Sequence, residues 1–370
     1  MAVRERGRMM NLGCKRMMAS IAVVLTLTTG LAITVPSQVE AASPLEVLAQ
    51  GAVAMAYVST ELNKMDNSAE GQQESLKNTE ARTGVLHDAA YQARAQRILD
   101  TLSKSPNVKR KYVVYVNPST DVNAFMTIGR VMSVNKGTMD AMDDNELAYT
   151  MAHELAHGEH KDIINGMKKS VGLSTAVSAM SSNGAAALLG EISGNYLENQ
   201  VFTLSQEKNA DKLGFTILAD SPYNLGGSAA SMQVIKNKYG DLYKEGLSQV
   251  LSPNNHPKTS ARITDNQQRM YEYSNKHVLV KDSTVYINNK PVYTGVASGQ
   301  YSSAERADLV GGKLSRLYHG QSTISGAFVE GSTVYIAGQA IVSTDSYASA
   351  YQIASAMNAA ISAGASKSSK

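Results

Sequence analysis

The chain has 370 residues, 43% of them apolar, with no tryptophan, four phenylalanines and 18 tyrosines. That length supports a sizeable core and two domains, and the apolar share excludes a disordered or fibrous chain. The net charge of +3 resides in residues 1–41, which hold five basic and two acidic side chains and leave 30 of each elsewhere. A neutral body lacks the basic footprint of nucleic-acid binding, so no nucleic-acid partner is expected.

Residues 1–41 read as a signal peptide. Arg4, Arg6, Arg8, Lys15 and Arg16 precede an apolar run, Ile21–Val35, and Val39-Glu40-Ala41 fits a cleavage site before Ala42. The run is shorter than the ~20 residues of a spanning helix, so no stable membrane span is expected in the mature chain. Cys14 is the only cysteine and leaves with the leader. Export without disulfides points to the periplasm, with secretion as the alternative.

Ser43-Pro44-Leu45-Glu46 reads as a capped helix start, with a helix to about Met65. A polar break is expected over Asn67–Asn78, then a helix over Leu86–Ser103. Lys111–Asn117 is β-branched and aromatic and predicts a strand; Val122–Met126 and Val131–Val134 predict two more around a turn at Gly129. Asp143-Asp144-Asn145-Glu146 is a second capping signature, opening a helix through at least His157. Val171–Gly190, rich in Ala, Gly and Ser, reads as a loosely packed helix or a mobile segment. Further helices are expected over Tyr196–Leu218 and Ser231–Tyr239.

Beyond Tyr273 a repeat appears. Thr284-Val285-Tyr286-Ile287-Asn288-Asn289-Lys290 recurs as Thr333-Val334-Tyr335-Ile336-Ala337-Gly338-Gln339. Each copy predicts strand, tight turn and strand, then a helix (Ser303–Tyr318 and Ser346–Ser362). Two ββα units sharing a sheet make one small α+β domain over 276–363, with 364–370 as a disordered tail.

His153-Glu154-Leu155-Ala156-His157 carries the chemistry. Residues four apart lie on one helix face, so both imidazoles can meet one zinc ion, while Glu154 points beside it, where a base for zinc-bound water belongs. A catalytic zinc takes three protein ligands and keeps one position open. Glu207 is the best third ligand, on a predicted helix with Asp211 one turn later, placed to accept the outer N–H of a ligand histidine. His160 is the rival, but three ligands from one short helix rarely reach one tetrahedral ion. His87, His277 and His319 have no visible partners and read as structural or surface residues.

These pieces resemble the M48 family of zinc metallopeptidases over roughly Asn78–Arg269. Asn123-Ala124-Phe125 is similar to the family's edge-strand motif, and Glu146-Leu147-Ala148 leads into its metal helix. Glu207 with Ala210-Asp211 is similar to its ligand motif, and His256-Pro257 with Arg262-Ile263 to its late segment. The resemblance implies an α+β fold: a mainly helical zincin-type core with a small β edge over 42–275, plus the C-terminal domain. It implies one zinc per chain and endopeptidase activity on protein or peptide substrates lying along Asn123, Ala124 and Phe125. It also implies that His256 and Arg262 line the site, His256 at the oxyanion or over the zinc and Arg262 ordering the Glu207 helix. The expected function is a zinc endopeptidase acting on misfolded or envelope proteins; the alternative is an envelope chaperone or adaptor with a latent zinc site. No tetratricopeptide-like array follows, and the paired repeats stand in its place as a surface for an envelope protein partner.

Overall fold

Ser68 splits the first helical stretch in two. Helix α1 (Pro44–Asn67) ends there, and Ser68 caps α2 (Ala69–Thr83) by accepting the Gly71 N–H at 2.9 Å. The computed structural model describes residues 44–170, 202–241 and 258–368. The expected leader (1–41), the stretch Val171–Gly190 and His256 lie outside these ranges. The polar break expected over Asn67–Asn78 is instead helix α2. Its Gly71, Ser75 and Thr79, spaced one turn apart, bury a narrow face of small residues, which lacks the apolar periodicity that usually reveals a helix.

Helix α3 (Ala89–Leu102), capped by Asp88, buries Ala95, Ile98, Leu99 and Leu102 along one face. Strands β1 (Val113–Asn117), β2 (Ala124–Thr127) and β3 (Val131–Asn135) follow in the order β1-β3-β2. β3 pairs parallel with β1 and antiparallel with β2. This leaves β2 at an edge. Between β2 and β3, Gly129 (φ 76°) takes a left-handed conformation, and Asp66 accepts its N–H at 3.2 Å.

A short helix α4 (Lys136–Ala141) leads to α5 (Asp144–His160), then α6 (Asp162–Ser170), α7 (Leu204–Ala219), α8 (Gly227–Tyr239) and α9 (Thr259–Tyr273). The helix expected from Tyr196 starts later among the described residues, because Thr203 caps α7 and Phe202 is not helical.

The repeat is real but richer than expected. The first copy is β4 (Val278–Lys281), β5 (Thr284–Ile287), β6 (Lys290–Thr294) and α10 (Ser303–Tyr318). The second is β7 (Ala327–Glu330), β8 (Thr333–Ile336), β9 (Gln339–Ser343) and α11 (Tyr347–Ser368). Each holds a third strand ahead of the pair, and the copies form two separate antiparallel sheets, not one shared sheet. Equivalent register shifts fall at Val285/Tyr286 and Val334/Tyr335. Asn288-Asn289 and Ala337-Gly338 have positive φ at both positions, as two-residue hairpin turns need. α11 continues through Ser368, so most of the tail expected to be disordered is helix.

The first repeat is seated in the helical core by close backbone contact. A Cβ on Gly226 would stand 2.1 Å from the Asp308 carbonyl oxygen, so only glycine permits this approach. Arg316 of α10 donates to the carbonyls of Leu218 (3.0 Å), Ala219 (3.1 Å), Ser221 (2.8 Å) and Tyr223 (2.6 Å). Carbonyls at a helix C-terminus have no partner within the helix, so α10 caps the helix that bears Glu207. Asp308 accepts from Gln267 (2.7 Å) and Gln233 (3.3 Å), and burial pushes its carboxyl up to about 7. No described helix is long and apolar enough to cross a membrane.

Candidate metal centre

Helix α5 is buried on nearly every side from Glu146 to Gly158. It starts on the expected capping box: Asp143 accepts the Glu146 N–H (2.9 Å), and Glu146 accepts the Asp143 N–H (2.9 Å). A helix apolar all round belongs in a core. Leu147, Ala148, Met151, Ala152, Leu155 and Ala156 supply that core, yet His153, Glu154 and His157 lie among them, 2%, 4% and 0% exposed. Polar groups withdrawn this far from water are costly unless partnered.

Their partners come from other elements of the fold. Helix α7 crosses α5 where Gly214 meets His153; a Cβ there would stand 3.0 Å from the His153 backbone. This approach brings Glu207, 2% exposed, to the paired imidazoles. Its Oε2 is 3.7 Å from His153 Nε2 and its Oε1 3.6 Å from His157 Nε2. One ligand atom from each of His153, His157 and Glu207 lies within 4.8 Å of the others. The edge strand reaches Glu154: Met126 N donates to Glu154 Oε2 at 2.8 Å.

Asp211, one turn after Glu207, faces the opposite side of His153. Its Oδ1 is 3.0 Å from His153 Nδ1. Arg262 of α9 grips the same carboxylate twice, Nε to Oδ2 at 2.9 Å and Nη2 to Oδ1 at 2.7 Å. Tyr149 donates to Asp211 Oδ1 at 2.9 Å. Burial alone raises the Asp211 carboxyl, but Arg262 first and His153 next outweigh it and hold the group well below the usual carboxylate range. Arg262 Nη2 also lies 3.3 Å from His153 Nδ1. The Asp211 carboxylate, which can only accept, is nearer to that nitrogen at 3.0 Å, so the ring N–H faces it. Arg262 Nη1 stands 3.5 Å from Glu207 Oε2, so one guanidinium reaches both carboxylates of α7.

The donor set fits a divalent cation. Each imidazole turns Nδ1 toward a carboxylate, Asp211 for His153 and Asp162 (2.9 Å) for His157. The shared network assigns the ring proton to Nδ1 in both cases, so both Nε2 lone pairs point inward. Those Nε2 atoms are 3.2 Å apart. Facing lone pairs repel unless they share a cation, and two nitrogens bound tetrahedrally to one zinc stand about 3.3 Å apart.

The structure thus brings His153, Glu154, His157, Glu207, Asp211 and Arg262 together. Phe125 and Ala124 lie in β2, the strand whose Met126 contacts Glu154, and Asn123 immediately precedes it. His160 stands apart from the cluster, its side chain 35% exposed and its Nδ1 4.0 Å from Asp162. Two neighbours escaped the sequence reading. Tyr149, four residues before His153, carried a readable helical signal; Asp162, beyond a break in the helix, did not.

A His-Glu-x-x-His helix crossed by a glutamate-bearing helix, each buried imidazole backed by a carboxylate, defines a metallopeptidase domain. Residues 89–269, just under half of the chain, match the model of peptidase family M48. Members of the family are metal-dependent. The chain is 26% identical over 202 residues to the "Putative beta-barrel assembly-enhancing protease" of Vibrio cholerae, covering 51% of this chain and 41% of that protein. It is 28% identical over 189 residues to "Metalloprotease LoiP" of Escherichia coli, covering 50% and 72%. "Metalloprotease YcaL" of the same organism is 26% identical over 192 residues, covering 50% and 74%. The match thus spans less than half of the Vibrio protein, and about half of this chain lies outside it.

Proposed function

We propose that this chain is a zinc-dependent endopeptidase that hydrolyses peptide bonds in proteins of the bacterial envelope. One observation carries the reading: two buried imidazoles and Glu207 converge, with Glu154 alongside and bonded to an edge strand. Two imidazoles and a carboxylate suit zinc. When bound there, zinc supplies Lewis acidity and a water of lowered pKa.

The chain's own residues do the rest. His153, His157 and Glu207 hold the ion. Glu154 takes the proton from the attacking water and passes it to the leaving amine nitrogen. Asp211 and Arg262 fix the orientation of His153 and the position of Glu207. From its resemblance to the family's late segment, His256 is assigned the role of steadying the developing oxyanion. In β2, alternate residues turn their N–H and C=O away from β3, and Ala124 offers these groups to an extended substrate adding a strand beside it. The basic and apolar leader exports the chain to the periplasm, and the likeness to the beta-barrel assembly-enhancing protease of Vibrio cholerae supports envelope proteins as substrates.

The test is cleavage of unfolded casein by the full chain before and after a zinc chelator. We expect chelation to abolish cleavage and added zinc, but not magnesium, to restore it. Cleavage that survives chelation contradicts the reading. Casein bound but never cut favours an envelope chaperone or adaptor with a latent site.

A further inference from the structure

We propose that Asp162 is a positioning residue of the metal centre: it orients His157 and ties that imidazole to the helix bearing Glu207. The inference rests on the metal reading above and concerns a residue outside the ligand set.

The local backbone explains how Asp162 arrives there. Were α5 to continue, residue 162 would lie about 140° around the helix from His157 and face elsewhere. Instead Lys161 adopts a left-handed conformation (φ 57°, ψ 31°), which few residues other than glycine take up. Its N–H bonds to the Gly158 carbonyl at 3.1 Å. The chain turns, α6 begins at Asp162, and the carboxylate folds back under His157.

Both carboxylate oxygens are then engaged on different elements. Oδ2 accepts His157 Nδ1–H at 2.9 Å, and Oδ1 accepts Gln206 Nε2–H at 2.9 Å. Gln206 precedes Glu207 and closes the capping box of α7, its Oε1 accepting the Thr203 N–H at 2.9 Å. Phe202 stacks on the His157 ring at 3.8 Å and 13°. The imidazole is thereby held in its plane by the phenyl ring and in rotation by the carboxylate. The Asp162 side chain is 9% exposed, so water competes little for these bonds.

The arrangement mirrors the other half of the centre. Asp211 holds His153 from α7, and Asp162 holds His157 from α6. Partners of this kind raise ligand basicity and fix the tautomer, and removing one typically weakens metal binding by about 10–100-fold. A plain helix-start role for Asp162 would instead act on fold stability alone, through the helix dipole.

The two roles separate in the full, metal-free chain. Zinc Kd is measured by competition with a chromophoric chelator, and the thermal midpoint is measured without metal. Asp162→Ala is expected to raise the Kd about 10–100-fold. Asp162→Asn, which keeps an acceptor oxygen but loses the charge, should fall between it and wild type, with a wild-type midpoint. Asp162→Asn also carries the test if the alanine variant fails to fold. Wild-type Kd in both variants, with or without a lowered midpoint, overturns the inference and leaves the metal centre standing. A wild-type chain that binds no zinc removes the centre itself, and the inference with it.

Discussion

Glu154→Gln is expected to cut hydrolysis of unfolded casein at least about 100-fold, the range a positioned general base contributes. The variant should still carry one zinc per chain, because Glu154 is not among the three converging ligand atoms. Glutamine keeps the side-chain oxygen that accepts the Met126 N–H, so the join between α5 and β2 survives. Only the capacity to take a proton is lost. Elemental analysis of the same preparation checks the metal content, and cleavage at the wild-type rate with metal retained would contradict the proposed base.

Arg262→Ala is expected to cause the largest loss of stability. It removes the guanidinium that grips Asp211 twice and reaches Glu207, while leaving both carboxylates 2% exposed. Breaking a buried pair by removing one partner costs about 3–5 kcal/mol, since the remaining charge is stranded. The urea midpoint should fall accordingly. Arg262→Lys should rescue little, because an ammonium cannot reproduce the bidentate grip. Asp211 contributes stability through a lowered carboxyl pKa, so its share is present above its unfolded value and lost on acidification. The alanine variant's deficit should therefore be larger at pH 7 than at pH 3. A wild-type midpoint at neutral pH would contradict this account of the network.

Much of the centre was legible because its signals are local. His153 and His157 share a helix face by spacing alone, and the capping box at Asp143 and Glu146 announced the helix that carries them. Asp211 followed from Glu207 by one helical turn. The hairpin repeat was legible through the recurrence of Thr-Val-Tyr-Ile at 284–287 and 333–336. Other features depend on contacts between distant segments. Helix α2 buries only Gly71, Ser75 and Thr79, too small a stripe to read as amphipathic. Strands β4 and β7 are four residues each and lack a motif of their own. Asp162 is placed by a left-handed lysine, a position that no composition or periodicity marks. The seating of α10 on the end of α7 turns on Gly226 and Arg316, whose roles exist only once the two helices meet.

The most direct measurement is crystallography of the zinc-loaded chain with anomalous data collected across the zinc absorption edge. The account predicts a single strong peak bonded by His153 Nε2, His157 Nε2 and a Glu207 carboxylate oxygen, with Glu154 beside it and unbound. No peak at that point, or a peak whose third protein ligand is His160, would contradict it.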